Sequence, residues 1–320
     1  MSELELLRET APAPASPSPR ARARARAALF TKIDASGYRR RRAWVFSASG
    51  AVATLAVAVA VFFALGAGGG QNDASAANLL HKAAQAALAQ PGFDDLGPGQ
   101  YIYTKSVELG MTIFPIGEHD SYSILTPSTN EVWLSSNRSG LMHYSPGKST
   151  FVSERDRLLW IKAGRPQITH TDGYMRIPHD STENLSSDAD TLFAQLEKQA
   201  RGKGSGLYTE MFVLIGDSLR SRFTTPAQRS ALFEVASRLP GVELAGNVTD
   251  AVGRAGIGVA MNDGVDHSRQ MLIFDPTNYG LMGEEESTLS GNWGKYPAGT
   301  VIGRVAYLEQ AVVDAVKKRP

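Results

Sequence analysis

The sequence predicts an α+β chain: one transmembrane helix followed by an extracytoplasmic domain of curved antiparallel sheet packed with about three to five helices. Three observations predict it. A 23-residue run without charge, Ala43 to Leu65, directly follows four consecutive arginines. Short β-rich segments separated by turn residues occur before residue 146 and again after residue 241, and three helical segments stand in succession between them. The expected boundaries are a cytoplasmic tail at 1–42, basic, Pro/Ala-rich and partly disordered, a span at 43–65, a flexible linker at 66–76 and an α+β domain at 77–320.

The apolar run is long enough to cross a bilayer. As a helix it reaches roughly 34 Å, against a hydrocarbon core of about 30 Å. Its five Val, three Phe and two Leu favour insertion, and the eight Ala are close to neutral. A core helix of a soluble protein can be apolar all round, but such helices rarely follow four arginines. Orientation follows from charge. Residues 1–42 carry ten Lys/Arg against four acids, a net of +6, so in a chain of net +1 the remainder carries −5. The cations concentrate just before the run, with Arg39, Arg40, Arg41 and Arg42 as a collar. "GAGGGQNDASAA" after it has none. The positive-inside rule therefore puts the amino terminus in the cytoplasm and the large carboxy-terminal part outside. Trp44 sits at headgroup level, where an indole bridges apolar and wet regions. Ala74-Ser75-Ala76 offers a signal-peptidase reading, with cleavage after Ala76. The 42-residue amino-terminal region and the length of the apolar run favour retention, and either reading delivers the rest of the chain to the same side.

Composition narrows the chemistry. With no cysteine, disulfides, thiolate metal sites and cysteine nucleophiles are excluded, so an exported domain here is held by its core alone. The mildly acidic exterior argues against nucleic acid as its partner.

Element by element, "TAPAPASPSP" reads as an extended linker and "RARARARAALFTKI" as a helical juxtamembrane segment for anionic headgroups or a docking element for a cytoplasmic protein. "DASAANLLHKAAQAALAQPG" places Leu80, Ala83, Ala84, Ala87 and Leu88 on one helical face and stops at Pro91-Gly92. "GQYIYTKSVEL", "SYSIL", "NEVWLSS" and "GLMHYS" read as strands of a meander. "SDADTLFAQLEKQA" starts with Ser187 as N-cap and faces Leu192, Phe193, Leu196 and Ala200 inward. "GLYTEMFVLIGDSLRS" is a more apolar helix. "TPAQRSALFEVASRLPG" has Thr225 as N-cap, Pro226 at N1, Gln228 at N3 and a Pro240-Gly241 stop. "VELAGNVT", "GIGVAMND", "RQMLIFD" and "LMGEEES" are strands separated by turns at 262–264 and 275–278. The final "TVIGRVAYLEQAVVDAVKKRP" reads as a strand running into a short helix.

No motif carries a reaction. "PGKST" at 146–150 lacks the upstream glycine of a phosphate-binding loop, which is Met142 instead. His143, His170 and His179, with Asp172 and Asp180, could ligate a metal, but their spacing matches no ligand pattern and surface histidines are the simpler reading. Trp133, Trp160 and Trp293, with Tyr101, Tyr103, Tyr144, Tyr174 and Tyr208, read as core or core-edge residues before they read as a carbohydrate platform. No catalytic residue, cofactor or metal is expected.

The segments "ELELLRE", "ARARARAALFTKI", "GQYIYTKS", "RSALFEVASRLPGVELAGNVTDAVGRAGIGVAM", "LIFDPTNYGLMGEEE" and "PAGTVIGRVAYLEQAVVDAV" together resemble an uncharacterised actinobacterial single-pass membrane protein family known by a locus tag. The likeness covers nearly the whole chain. Its members are often encoded beside extracytoplasmic-function sigma factors, which implies an envelope sensor or regulator with a sigma factor or other cytoplasmic protein at the tail. Membrane lipid around the span and the basic collar is expected from the apolar run itself, and an envelope ligand outside is part of the sensor reading. The alternative is an extracytoplasmic ligand-binding or carrier module whose tail serves only insertion. The family supplies no catalytic residues, and the chain lacks the H-x-x-x-C-x-x-C motif of zinc-containing anti-sigma domains.

Overall fold

The computed structural model describes residues 69–320, apart from 93–94, 117–119, 179–184, 203–205, 222–223, 266 and 290–295. Residues 67–320 form one compact unit. In chain order its elements are α1 (Gly69–Leu88), β1 (Tyr101–Ile116), β2 (Asp120–Leu134), β3 (Gly140–Pro146), β4 (Thr150–Phe151), α2 (Glu154–Lys162), β5 (Gly173–Ile177), α3 (Ala189–Ala200), α4 (Leu207–Ser221), α5 (Pro226–Ser237), β6 (Val242–Thr249), β7 (Ala255–Asp263), β8 (Ser268–Phe274), β9 (Leu281–Thr288) and β10 (Val301–Val313). The ten strands make one sheet in the order β5-β3-β2-β1-β10-β9-β8-β7-β6, with β4 also on β2. Every pairing is antiparallel. Two meanders are thus joined where β10 pairs with β1, and the expectation of an α+β domain with an antiparallel sheet and about three to five helices holds, with five helices among the described residues.

Side chains alternate between faces along a strand, so register carries one face across the sheet. The row Val259, Leu272, Glu284, Val305, Glu108, Ser128 follows it from β7 to β2. At its β6–β8 end this face presents Val242, Val259, Met261, Leu272 and Phe274 to the helices. The space between is filled by buried side chains, among them Leu80, Leu196, Ile215, Leu232 and Phe233. Phe233 meets Phe274 edge-on at 5.5 Å between ring centres. Burying each such side chain contributes about 1.5 to 3 kcal/mol, which outweighs the propensity of any single helix. The α5 start forms as expected: Thr225 accepts from Gln228 N while the Gln228 side chain accepts from Thr225 N.

Four register shifts, beside Ser106, Gly246, Phe274 and Gly303, bend the sheet. Arg254 holds two of them. Its Nη2 donates to the carbonyls of Met282, 3.1 Å, and Tyr307, 2.7 Å, while buried Asp250 accepts from its Nε at 2.6 Å.

Several expectations need correction. "SYSIL" and "NEVWLSS" are parts of one strand, β2, which runs through Pro127. The Pro127 carbonyl accepts from Gly147 N at 2.6 Å, so the side of Pro127 that lacks an N–H faces the break between β3 and β4, where no donor is needed. The N-cap of α3 is Asp188, whose side chain accepts from Thr191 N, and not Ser187. Leu88 is exposed, because it lies about 110° around α1 from the centre of the stripe Ala76, Leu79, Leu80, Ala83, Ala84 and Ala87. α1 reaches back to Gly69, into the stretch 66–76 expected to be a flexible linker. No helix follows β10: one turn, Lys318 N to Ala315 O, ends in an extended strap. α2, β4 and β5 were not foreseen, although Ser153 caps α2 with Asp156 three residues on. No helix among the described residues is long and apolar enough to cross a membrane. Arg39, Arg40, Arg41, Arg42, Trp44 and the run 43–65 lie outside the described residues.

Crowding in the sheet gives a direct test. A Cβ on Gly283 would sit 2.6 Å from the Val305 carbonyl oxygen of the neighbouring strand, whereas one on Gly110 would meet nothing within 4 Å. Gly283→Ala is expected to cost about 1 to 3 kcal/mol in denaturant unfolding. Gly110→Ala is expected to change stability by less than about 0.5 kcal/mol.

Candidate functional site

The face opposite the helices carries an aromatic cluster at its β1–β2 end. Tyr103 and Trp133 are completely buried in one cluster with Val313, and Tyr101, Leu141 and Val316 pack around them. The strap 314–320 closes over this cluster. The Trp133 indole donates to the Lys318 carbonyl at 2.6 Å. Lys317 Nζ stands 4.1 Å from the centre of the Tyr174 ring, which stacks on His143 at 4.3 Å.

Beneath the strap lies Glu131, 6 % exposed. A charge so deeply placed persists only if its oxygens are satisfied. Arg319 donates Nε and Nη2 to its two oxygens at 2.5 and 2.6 Å, and Tyr103 donates its hydroxyl at 2.8 Å. His143 Nδ1 lies 3.3 Å away. The Arg319 hydrogen bonds lead in holding the Glu131 carboxyl down to about 2 from its ordinary 4.5, against desolvation and with help from Tyr103 and His143. Burial first, then the bond to Glu131, pushes the Tyr103 phenol well above its usual range. At neutral pH the pair is therefore a carboxylate and a neutral donor.

The network continues outward. His143 Nε2 is 3.1 Å from Asp172 Oδ1, and Ser145 donates to Asp172 Oδ2 at 2.6 Å. Both ring nitrogens of His143 face carboxylates, and only a doubly protonated ring donates to both. Ser145, His143 and Asp172 are the residue types of a nucleophilic triad, but the order is wrong for one. The serine gives its hydrogen to the carboxylate instead of the imidazole, so no base is set to activate it. The arrangement is a clasp: it binds the strap and leaves no proton poised for transfer.

A second polar group lies on the helix-side face, between the helix-packed core and the small cluster of Ile102, Val132 and Leu134. Glu284, 5 % exposed, accepts from Arg220 of α4 at 2.6 Å and from the Tyr307 hydroxyl. The charge of Glu284 raises the pKa of the Arg220 guanidinium. Next to it, register aligns Tyr307, Ser106, Asn130 and Tyr144 in one row across β10, β1, β2 and β3. Thr104, Ser106, Thr126, Ser128 and Asn130 are all buried here. Asn130 Oδ1 is buried without a hydrogen-bond partner among the described residues. Leaving such an acceptor unsatisfied costs about 1 to 3 kcal/mol.

A third cluster is structural. Buried Asp156 of α2 accepts from Ser123 N at 2.9 Å, from Tyr296 at 2.8 Å and from Ser153, which pins α2 to β2. Tyr296 is pushed up to about 12, chiefly by burial.

Of the residues singled out in the sequence, His143 and Asp172 come together. His170 instead bonds Thr126 Oγ1 at 3.1 Å, and His179 and Asp180 lie outside the described residues. No group of three His, Asp or Glu able to hold a metal occurs among the described residues. Trp133 and Tyr103 are core, as expected. Tyr174 and Tyr208 are exposed, and Trp293 is outside the described residues. "PGKST" turns from β3 to β4. Glu131, Arg319 and Asn130 were not singled out in the sequence. The available signal was Glu131, an acid set directly against the apolar run Val132-Trp133-Leu134.

No family model and no curated protein matches the sequence. Among solved structures, the complex of Pseudomonas aeruginosa MucA/MucB is similar at 9 % identity and a TM-score of 0.25, over 75 % of this chain. The chain spans 58 % of the length of that chain. A likeness this distant carries no functional argument.

Arg319→Ala is expected to free the strap and lower the melting temperature by about 5 °C, because Glu131 is left buried without its main partner. The pH dependence has a definite sign. The folded-state pKa of Glu131 lies below its unfolded value, so its contribution is fully present above about pH 4.5 and is lost as the pH falls towards about 2. Unfolding measured from pH 7 to pH 2 should show a fall in stability in that window that is shallower in Glu131→Gln.

Proposed function

We propose that the chain is a single-pass membrane protein, with residues 1–42 in the cytoplasm and the sheet domain outside, and that it acts as an envelope sensor or regulator. The observation that carries this reading is the +6 tail abutting 23 uncharged residues. Such a collar, Arg39 to Arg42 with Trp44, fixes orientation and is retained on the cytoplasmic side. The tail is longer than insertion alone requires and its stretch 20–33 is rich in helix-forming residue types, which supports a cytoplasmic partner. The family resemblance points to a sigma factor of the extracytoplasmic-function type.

The carrier alternative calls for an apolar groove between sheet and helices. That space is occupied by Leu80, Leu196, Ile215, Leu232 and Phe233 against Val259 and Phe274, which weighs against it. The part of the same face beyond the helix-packed core presents polar groups, so binding of a polar ligand suits this domain better than binding of an acyl chain. The balance of −5 outside the tail disfavours nucleic acid.

Two measurements on the full chain test the proposal. An export-dependent reporter fused after Pro320 is expected to be active, and activity of a cytoplasm-only reporter at that position would overturn the topology. A photocrosslinker placed at Arg24 in intact cells is expected to capture a sigma factor. Capture of lipid alone would leave the tail as an insertion signal and remove the regulatory role.

A further inference from the structure

We propose that the strap 314–320 stands in for a partner: the groove it covers is a docking site for an extended protein segment carrying a Lys-x-Arg pattern, and the strap keeps that site closed until such a segment displaces it. The inference deepens the sensor reading, on which it rests, by naming the kind of partner the sheet domain takes. It starts from a contrast in burial. What lies under the strap is core-like: Tyr103 and Trp133 are fully buried and Glu131 is 6 % exposed. The strap itself is thin and wet. Asp314, Ala315 and residues 317–320 are exposed, and the Arg319 side chain is 56 % exposed although it binds Glu131. Among the described residues the strap makes one backbone–backbone hydrogen bond, Lys318 N to Ala315 O at 3.2 Å. Lys317 holds a φ of 70°, in the left-handed region that a side chain disfavours. A segment with few backbone bonds, high exposure and a strained residue opens before the sheet beneath it does.

The contacts that seat the strap are those of peptide recognition. Lys317 sets its ammonium over the Tyr174 ring at 4.1 Å, the Lys318 carbonyl accepts from the Trp133 indole at 2.6 Å, and Arg319 meets both Glu131 oxygens. Ring, indole and carboxylate thus take a lysine, a backbone carbonyl and an arginine in successive positions. The planar fork of a guanidinium matches a carboxylate as an ammonium does not, so the third position is specific for arginine. The Lys318 side chain plays no part, since it turns back to Asp314 at 2.6 Å. Charge around the groove selects a basic segment. With the strap lifted, Glu131 keeps Tyr103 and His143 but loses its guanidinium, and Asp172 keeps only His143 and Ser145. Lys105, opposite Glu131 on β1, is offset by Glu309 at 3.8 Å, and Arg176 lies further off, opposite Leu141 on the outer strand β5. A carboxylate as deep as Glu131 is strongly destabilised without its cation, so an acidic or apolar segment is rejected and one that restores an arginine is taken.

Two measurements on the full chain in detergent test this. The first is hydrogen exchange of the Trp133 indole N–H, which the Lys318 carbonyl covers. A displaceable strap gives exchange at least about tenfold faster than that of the Val259 and Leu272 amides in the main core. Exchange as slow as theirs marks a strap that opens only when the whole domain unfolds, and overturns the proposal. The second is fluorescence anisotropy with a labelled, end-capped peptide of the sequence Asp-Ala-Val-Lys-Lys-Arg-Pro. Arg319→Ala, whose strap is loosened, is expected to bind it saturably and at least about tenfold more tightly than the parent chain, whose own strap competes. The same peptide with alanine in place of arginine, and a scrambled peptide of the same composition, are each expected to bind Arg319→Ala at least about tenfold more weakly. The original peptide is expected to lose as much on the double variant Arg319→Ala/Glu131→Gln. No binding to Arg319→Ala, or equal binding of the scrambled peptide, overturns the proposal. A parent chain that is a dimer and dissociates on adding the peptide overturns it too, because the partner of the strap is then a second copy. If Arg319→Ala does not fold, the exchange measurement on the parent chain decides alone. The reporter reads topology and depends on neither measurement, so a failed docking assignment and a failed membrane reading are told apart.

Discussion

The antiparallel pairing of β1 with β10, from Tyr101 opposite Val313 to Gly110 opposite Gly303, is the constraint on which the rest of the structure depends. It joins a meander made early in the chain to one made late. Without it the sheet is two separate ladders, the late one packed against the helices of the main core and the early one against α2 alone. The bulge beside Ser106 lies within this pairing, and Arg254 reaches in from the β6–β7 turn to hold the Tyr307 carbonyl. The seam is therefore bent at a fixed place, and the bend sets which side chains crowd together on the helix-side face.

Both polar groups of interest are products of this seam. The clasp exists because β10, after pairing with β1, delivers the strap over β1 and β2, where Arg319 finds Glu131. The helix-side row exists because register across the same seam puts Tyr307 level with Ser106 and Asn130. The two differ in how completely they are satisfied. Glu131 has partners on both oxygens and is held ionised, so its polar set is complete. That of Asn130 is not, and an incomplete polar set inside a packed domain has a different physical meaning from a complete one.

The local signals in the sequence were sufficient for the helices of the middle segment. Thr225 to Gln228 is a self-contained capping box, and its geometry needs no information from elsewhere. α2 was missed because its apolar pattern is weak, although Ser153 and Asp156 spelled out its start. β2 was split at Pro127 because a proline ordinarily ends a strand. What rescues it is a gap in the partner edge, a fact of tertiary structure. The same holds for the clasp: Glu131 and Arg319 are 188 residues apart, and no local pattern connects them. Asn130 is legible only once the face it occupies is known, since alternation alone does not say which of two faces is covered.

Strand β1 is among the first parts of the domain to be synthesised, and the strand that satisfies one of its two edges, β10, is nearly the last. Until residues 301–313 exist, a long row of backbone donors and acceptors on β1 has no partner within the chain. A strand in that condition pairs readily with the same strand of another nascent chain. Assembly of this domain is thus governed by how quickly its late portion arrives, and slow production of that portion would divert molecules into oligomers before the fold is complete.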